Sequence, residues 1–206
     1  MMMSKFRSLL IATSNPGKLR EVRAILAGLP LNLLTLADFP DLPAAIEDGA
    51  TFEENAAKKA LHYAGHAGTW TLADDSGLEV DALGGAPGVY SARYAGEGAD
   101  DRANNAKLIR ELSGVPVKRR TARFRCAVAL ASPTEVLAKA AGAFEGLIVD
   151  EPRGPNGFGY DPHFFVPECN MTSAQMSPEL KNSLSHRGQA LRAIQPKIVQ
   201  LLESLR

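Results

Sequence analysis

The chain has 206 residues, of which 45% are apolar and 22% charged, and its 23 Lys and Arg balance its 23 Asp and Glu. That composition suits a globular chain with a sizeable core. It argues against a whole-protein field that would steer it onto nucleic acid or an anionic membrane. Cys126 and Cys169 have no paired spacing, which argues against a disulfide scaffold or structural zinc site and fits the cytoplasm; no apolar run approaches a membrane span, and the start, with Lys5 and Arg7 before a very short apolar run, lacks a signal-peptide pattern.

In chain order, Ser8 to Thr13 reads as a buried strand and is followed by Ser14-Asn15-Pro16-Gly17-Lys18. Asn15 suits an N-cap and Pro16 the first helical position of a helix through Ala27, with Val22, Ile25, Leu26 and Leu29 as its apolar stripe. A helix start with Lys18 beside it suits phosphate, although the Walker A spacing is absent and a plain strand–turn–helix joint has the same pattern. Leu31 to Leu36 is a second strand, and Ala37 to Asp48 a Pro- and Asp-rich loop carrying Glu47, either a solvated carboxylate or a metal ligand. Thr51-Phe52-Glu53-Glu54 fits a capping box opening a helix that ends near Gly65 or Gly68, with Phe52, Ala56, Ala60, Tyr63 and Ala64 on one side.

Thr69 to Leu72 is a short strand, after which Asp74 and Asp75 stand before a turn expected at Ser76-Gly77. Paired carboxylates at a strand end can hold a hard cation and deprotonate water, or merely solvate the turn. Gly84 to Gly88 is irregular. Ala99 to Leu112 is helical, with Ala103, Ala106, Leu108, Ile109 and Leu112 available to pack. Thr121 to Ala131 alternates as a half-buried strand, making Cys126 a core thiol, and Val136 to Val149 is its partner. Arg153 to Pro162 is too rich in breakers for a regular element. Its Phe158 and Tyr160 either pin the loop to the core or stack on a planar ring. His163 to Val166 is a short strand. Ser185-His186-Arg187 precedes a last helix with Leu191, Ile194, Ile198, Leu202 and Leu205 on one side, which Pro196 should kink or divide. Lys181, His186 and Arg187 cluster at its start, where a bound anion or keto oxygen would offset the dipole penalty. No repeat or linker interrupts the chain, so residues 1–206 read as a single domain with two lobes.

Six segments in this order resemble the inosine triphosphatase, or Ham1-like, family of dITP/XTP pyrophosphatases. They are Thr13 to Lys18, Thr51 to Ala56, Ala73 to Leu78, Gly84 to Tyr94, Gly157 to Pro162, and Ser185 to Gly188. The resemblance implies an α/β fold with a long mixed central β-sheet flanked by helices, two lobes with a cleft between them, and usually a homodimer. It implies Mg²⁺-dependent hydrolysis of ITP, dITP and XTP to the monophosphate and pyrophosphate.

Position by position, the resemblance assigns triphosphate binding to Thr13, Ser14, Asn15, Pro16, Gly17 and Lys18. It makes Glu47 a metal ligand and Asp75 the metal-linked general base, and puts Ser76 on the substrate. Phe158, Gly159, Tyr160 and Asp161, with Lys181, His186 and Arg187, would hold the base. Glu47 aligns only through the Gly-x-Thr-Phe that follows it, and Ser14 replaces a glycine common in bacterial relatives. A 6-keto acceptor on the base would meet Lys181 or Arg187, where the 6-amino group of adenine would oppose donor to donor. Exclusion of guanine needs a device against its 2-amino group that the sequence does not display. Two other readings compete. A pyrophosphatase preferring a modified pyrimidine would differ in substrate panel, and a non-catalytic nucleotide sensor would bind without turnover.

Overall fold

The computed structural model describes residues 7–204; Lys5 and Leu205 lie outside them. Seven strands form: β1 Arg7–Ile11, β2 Leu31–Thr35, β3 Trp70–Val80, β4 Thr121–Ala131, β5 Val136–Ile148, β6 Phe164–Val166 and β7 Met171–Thr172. They lie in one mixed sheet in the order β2-β1-β3-β4-β5-β6-β7. The helices are α1 Pro16–Leu26, α2 Phe52–Ala67, α3 Asp101–Glu111, α4 Pro178–Leu184 and α5 His186–Glu203. β1 pairs in parallel with both β2 and β3, and α1 and α2 supply the long crossovers that parallel strands require. β6 pairs antiparallel with β5 and β7.

The chain forms two compact units. The first holds the chain through Asp75, Ala127–Ala141, and the chain from Ala190 onward; the second holds Ser76–Cys126 and Gly142–Gln189. The core of the first includes Leu9, Leu10, Val22, Leu26, Ala60, Leu72, Val128, Leu191 and Ile194, all buried. The core of the second centres on Phe164, whose ring lies 4.4 Å from Phe124 and 5.5 Å from Phe144.

Local signals for α1 and α2 hold. Asn15 caps α1 by accepting from the Gly17 and Lys18 N–H groups, with Pro16 in the first turn. Thr51 caps α2, and Gly68 ends it in the left-handed conformation at φ 64°. The expected capping box closes differently, because Glu54 reaches back to the N–H of Ala50 rather than of Thr51.

Four expectations need correction. No turn forms at Ser76-Gly77. β3 runs unbroken from Trp70 to Val80, since pairing inside a sheet overrides the local preference of a Ser-Gly pair. β4 alternates only as far as Cys126; from there to Ala131 every residue is buried, so this half is covered on both faces. Ala103 and Ala106 of α3 are exposed, and Asn104 takes the buried position, its amide bonded to Ala92 and Ala95. Pro196 does not divide the last helix, which continues through it, and His186 and Arg187 form that helix's first turn.

Candidate active site

Within the first unit, Asp74 and Asp75 are consecutive residues of a regular strand, so their side chains leave opposite faces of the sheet. Both are buried, with 5% and 8% exposure. Asp74 Oδ2 lies 3.0 Å from Lys18 Nζ, joining α1 to the strand. Asp75 Oδ2 accepts from Asn55 Nδ2 at 2.9 Å. Asn55 also accepts the Gly49 N–H on its Oδ1 at 2.7 Å. The approach is so close that a Cβ on Gly49 would stand 2.6 Å from that oxygen. One side chain of α2 therefore fastens the loop bearing Glu47 and also holds the carboxylate of Asp75.

Lys59, one helical turn beyond Asn55, completes this cluster. Its ammonium pairs with Glu47 Oε2 at 2.7 Å and donates to the Asp74 carbonyl at 3.2 Å. Burial alone would lower the Lys59 pKa, but Asp74 and Glu47 raise it overall, so it stays a cation. Burial lifts Asp75 above the usual carboxylate range. The Asn55 hydrogen bond and the charges of Lys18 and Lys59 oppose that shift, and Glu47 adds to it. An acid raised in this way moves toward the range in which a general base works.

The expected phosphate segment is laid out at the start of α1, with Thr13 half-buried, Ser14, Asn15 and Pro16 exposed, Gly17 buried and Lys18 reaching Asp74. One detail differs from a bare helix start. The Gly17 and Lys18 N–H groups already have an acceptor in Asn15 Oδ1, at 2.8 and 3.1 Å.

Within the second unit, Asp161 is the hub. It is 2% exposed, and its carboxylate accepts from the Phe158 N–H at 2.8 Å, Ser173 Oγ at 2.7 Å and Lys181 Nζ at 2.5 Å. The loop closes so tightly on it that a Cβ on Gly157 would meet Asp161 Oδ2 at 2.1 Å. The two aromatics of this loop differ in burial. Tyr160 is buried and pins the loop, its hydroxyl donating to the Ser91 carbonyl at 2.8 Å. Phe158 stays half-buried, with Lys181 Nζ at 4.7 Å and the Arg187 guanidinium at 5.7 Å from its ring centre. Arg187 also donates to Ser76 Oγ at 2.7 Å, and the His186 ring stacks on Phe124 at 4.9 Å. Lys181, His186 and Arg187 are all buried.

The Ham1 family model matches residues 9–197. The chain belongs to the Ham1 family. A dITP/XTP pyrophosphatase of Geobacter sulfurreducens is 60% identical over 183 residues, covering 89% of this chain and 92% of that one. Another from Desulforamulus reducens is 51% identical over 197 residues, covering 96% of each. The solved structure of a HAM1 protein from Coxiella burnetii superposes with a TM-score of 0.86 at 40% identity, covering 95% of this chain and all of that one. The mixed sheet with flanking helices is thus the fold of this family.

Two residues of this Ham1-family cluster, Asn55 and Lys59, escaped the sequence reading. Both lie on the apolar stripe of α2, alternating with Phe52, Ala56 and Ala60 at helical spacing. Polar side chains on a stripe that must be buried are the signal that would have found them. No helix among the described residues is long and apolar enough to cross a membrane.

Proposed function

We propose that residues 1–206 act as one nucleoside-triphosphate pyrophosphatase domain that removes ITP, dITP and XTP from the nucleotide pool, with Mg²⁺ as its metal. The cytoplasm is its place of action and a homodimer its working form, with no nucleic-acid partner. The observation that carries the reading is the Asp75 cluster. A buried carboxylate with raised pKa is held by Asn55, with Lys18, Lys59 and Glu47 close enough to shift it electrostatically.

The donor set fits a hard cation. Glu47 and Asp75 supply carboxylate oxygens, and the Lys59 ammonium between Glu47 and the Asp74 carbonyl already marks a place for positive charge. Among the described residues, no three Asp, Glu, His or Cys side chains converge as a metal cage. Mg²⁺ suits that, since it takes one or two carboxylates and completes its shell with phosphate oxygens and water. Glu47 and Asp75 would hold it, and the bound ion would neutralise charge gathering on the phosphates.

The other steps belong to the chain. Lys18 and the Thr13 to Gly17 turn bind the triphosphate, with Lys18 released from Asp74 onto a phosphate oxygen. Asp75 takes the proton from the water attacking the innermost phosphorus, and pyrophosphate leaves in line. Phe158 offers a ring face to the base, and Lys181 and Arg187 donate to its 6-keto oxygen. Asp161, with three donors already on its carboxylate, orients Lys181 and the loop instead of touching the base itself. Ser76, which accepts from Arg187, and His186 would contact the substrate.

Pyrophosphate release from a panel of ITP, dITP, XTP, ATP, GTP and a modified pyrimidine triphosphate, with product identification, tests this. The expected result is monophosphate and pyrophosphate from the three non-canonical purines. Preference for the pyrimidine, or stepwise loss of phosphate, would overturn it.

A further inference from the structure

Gly159 is gripped on both of its backbone polar groups by α3. Its N–H donates to Asp101 Oδ2 at 2.6 Å, and its carbonyl accepts from Asn105 Nδ2 at 2.8 Å. The same Asn105 amide donates to the Asp101 carbonyl at 2.8 Å, so the two gripping residues are tied to each other one turn apart. This arrangement carries a cost. With both carbonyls met by its nitrogen, the Asn105 Oδ1 atom is buried without a hydrogen-bond partner among the described residues. The amide is oriented for the grip and not for its own satisfaction.

Gly159 itself sits at φ 61°, between Phe158 and the buried Tyr160, in a loop whose Gly154 and Gly157 are also at positive φ. A chain so rich in glycine has much backbone entropy to lose on ordering. Tyr160 and Asp161 fix the C-terminal side of the loop through the Ser91 carbonyl and the Ser173 hydroxyl. Asp101 and Asn105 fix the residue next to Phe158, which is half-buried.

We propose that Asp101 and Asn105 are positioning residues for base recognition. They order Gly159 before substrate arrives and so set the presentation of the Phe158 ring. The proposal rests on the assignment of Phe158 to the base. Without the grip, the loop orders only on binding, and that cost falls on affinity for the base rather than on the chemistry at phosphorus.

Steady-state kinetics of Asp101→Ala, Asn105→Leu and Asp101→Asn on ITP and ATP test it. Asp101→Ala and Asn105→Leu each raise the KM for ITP about tenfold with kcat within about twofold, and lower the ITP-over-ATP ratio of kcat/KM about tenfold. Asp101→Asn keeps an oxygen acceptor for the Gly159 N–H and restores the KM to within about threefold of the parent. If Asp101→Ala fails to fold, the Asn105→Leu split between KM and kcat decides alone. Folded variants with unchanged KM and selectivity, or with kcat lost and KM kept, overturn the proposal. A parent enzyme that releases no pyrophosphate from ITP would instead overturn the assignment of function, so the two failures are distinguishable.

Discussion

Two buried aspartates anchor the two units, and they are built for opposite purposes. Asp161 has its carboxylate filled by a backbone N–H, a hydroxyl and an ammonium, all between 2.5 and 2.8 Å. Asp75 lies among charges of both signs, held directly by Asn55 and influenced by Lys18, Lys59 and Glu47 at longer range. A filled carboxylate gives rigidity, because every partner must be surrendered before it moves. A carboxylate set among lysines already paired with other acids can exchange partners when a more highly charged ligand arrives. Under the proposed function, that difference fits Asp75 to react and Asp161 to hold a shape.

The largest expected effect breaks the comparison at its reactive end. Asp75→Asn keeps an acceptor for Asn55 but no base, so kcat should fall by about 10²–10⁴-fold with the melting temperature little changed. Steady-state kinetics beside thermal unfolding check it. Equal losses of stability and rate would make Asp75 a structural residue like its counterpart.

At the rigid end, Asp161→Ala removes one partner of a buried ion pair that also carries the Phe158 N–H and Ser173. Unfolding free energy should drop by about 3–5 kcal/mol, read by denaturant titration. A drop under 1 kcal/mol, about the worth of an exposed pair, would mean that the loop is held by other contacts.

These two aspartates also show what the sequence could display. Asp75 stood out in the sequence as a candidate, since adjacent carboxylates after a strand-forming run are conspicuous. Its setting did not, because Ser76-Gly77 has the local signature of a turn and only cross-strand pairing makes it strand. Caps with a partner a few residues on were legible at Asn15 and Thr51, while Asp100 and Ser177, which cap α3 and α4 over the same spacing, were missed. β4 was legible in extent from its alternation, but the double burial after Cys126 depends on what covers the sheet. Asp161 was assigned to the base because the motif carries it there. Its three donors come from Phe158, Ser173 and Lys181, and the latter two lie 12 and 20 positions away, at separations that no periodicity reports.

A smaller effect sharpens the contrast. Asn55→Ala cuts the tie between the Gly49 loop and Asp75, and should cost about 1–3 kcal/mol of stability. Activity should fall further than the folded fraction does, because Glu47 loses its placement; activity tracking the folded fraction alone would remove Asn55 from the site.

The smallest effect is a control on a carboxylate that is neither reactive nor buried. Hydrogen bonds from Arg123 and Thr121 hold Asp81 below its usual value of 3.8. Its contribution is therefore complete above that pH and is lost as pH falls through the lowered folded value. Exposure keeps it under about 1 kcal/mol, so Asp81→Asn should reduce stability slightly at neutral pH and flatten the acid limb of the stability profile. A steeper acid limb in the variant would reverse the sign assigned here.

The central claim, attack by water at the innermost phosphorus with Asp75 as base, is tested most directly by where the water oxygen ends. Hydrolysis of ITP with Mg²⁺ in water enriched in heavy oxygen, followed by mass spectrometry of both products, reads this in one experiment. The expected result is label in the monophosphate and none in pyrophosphate. Label in pyrophosphate, or in released inorganic phosphate, would contradict it.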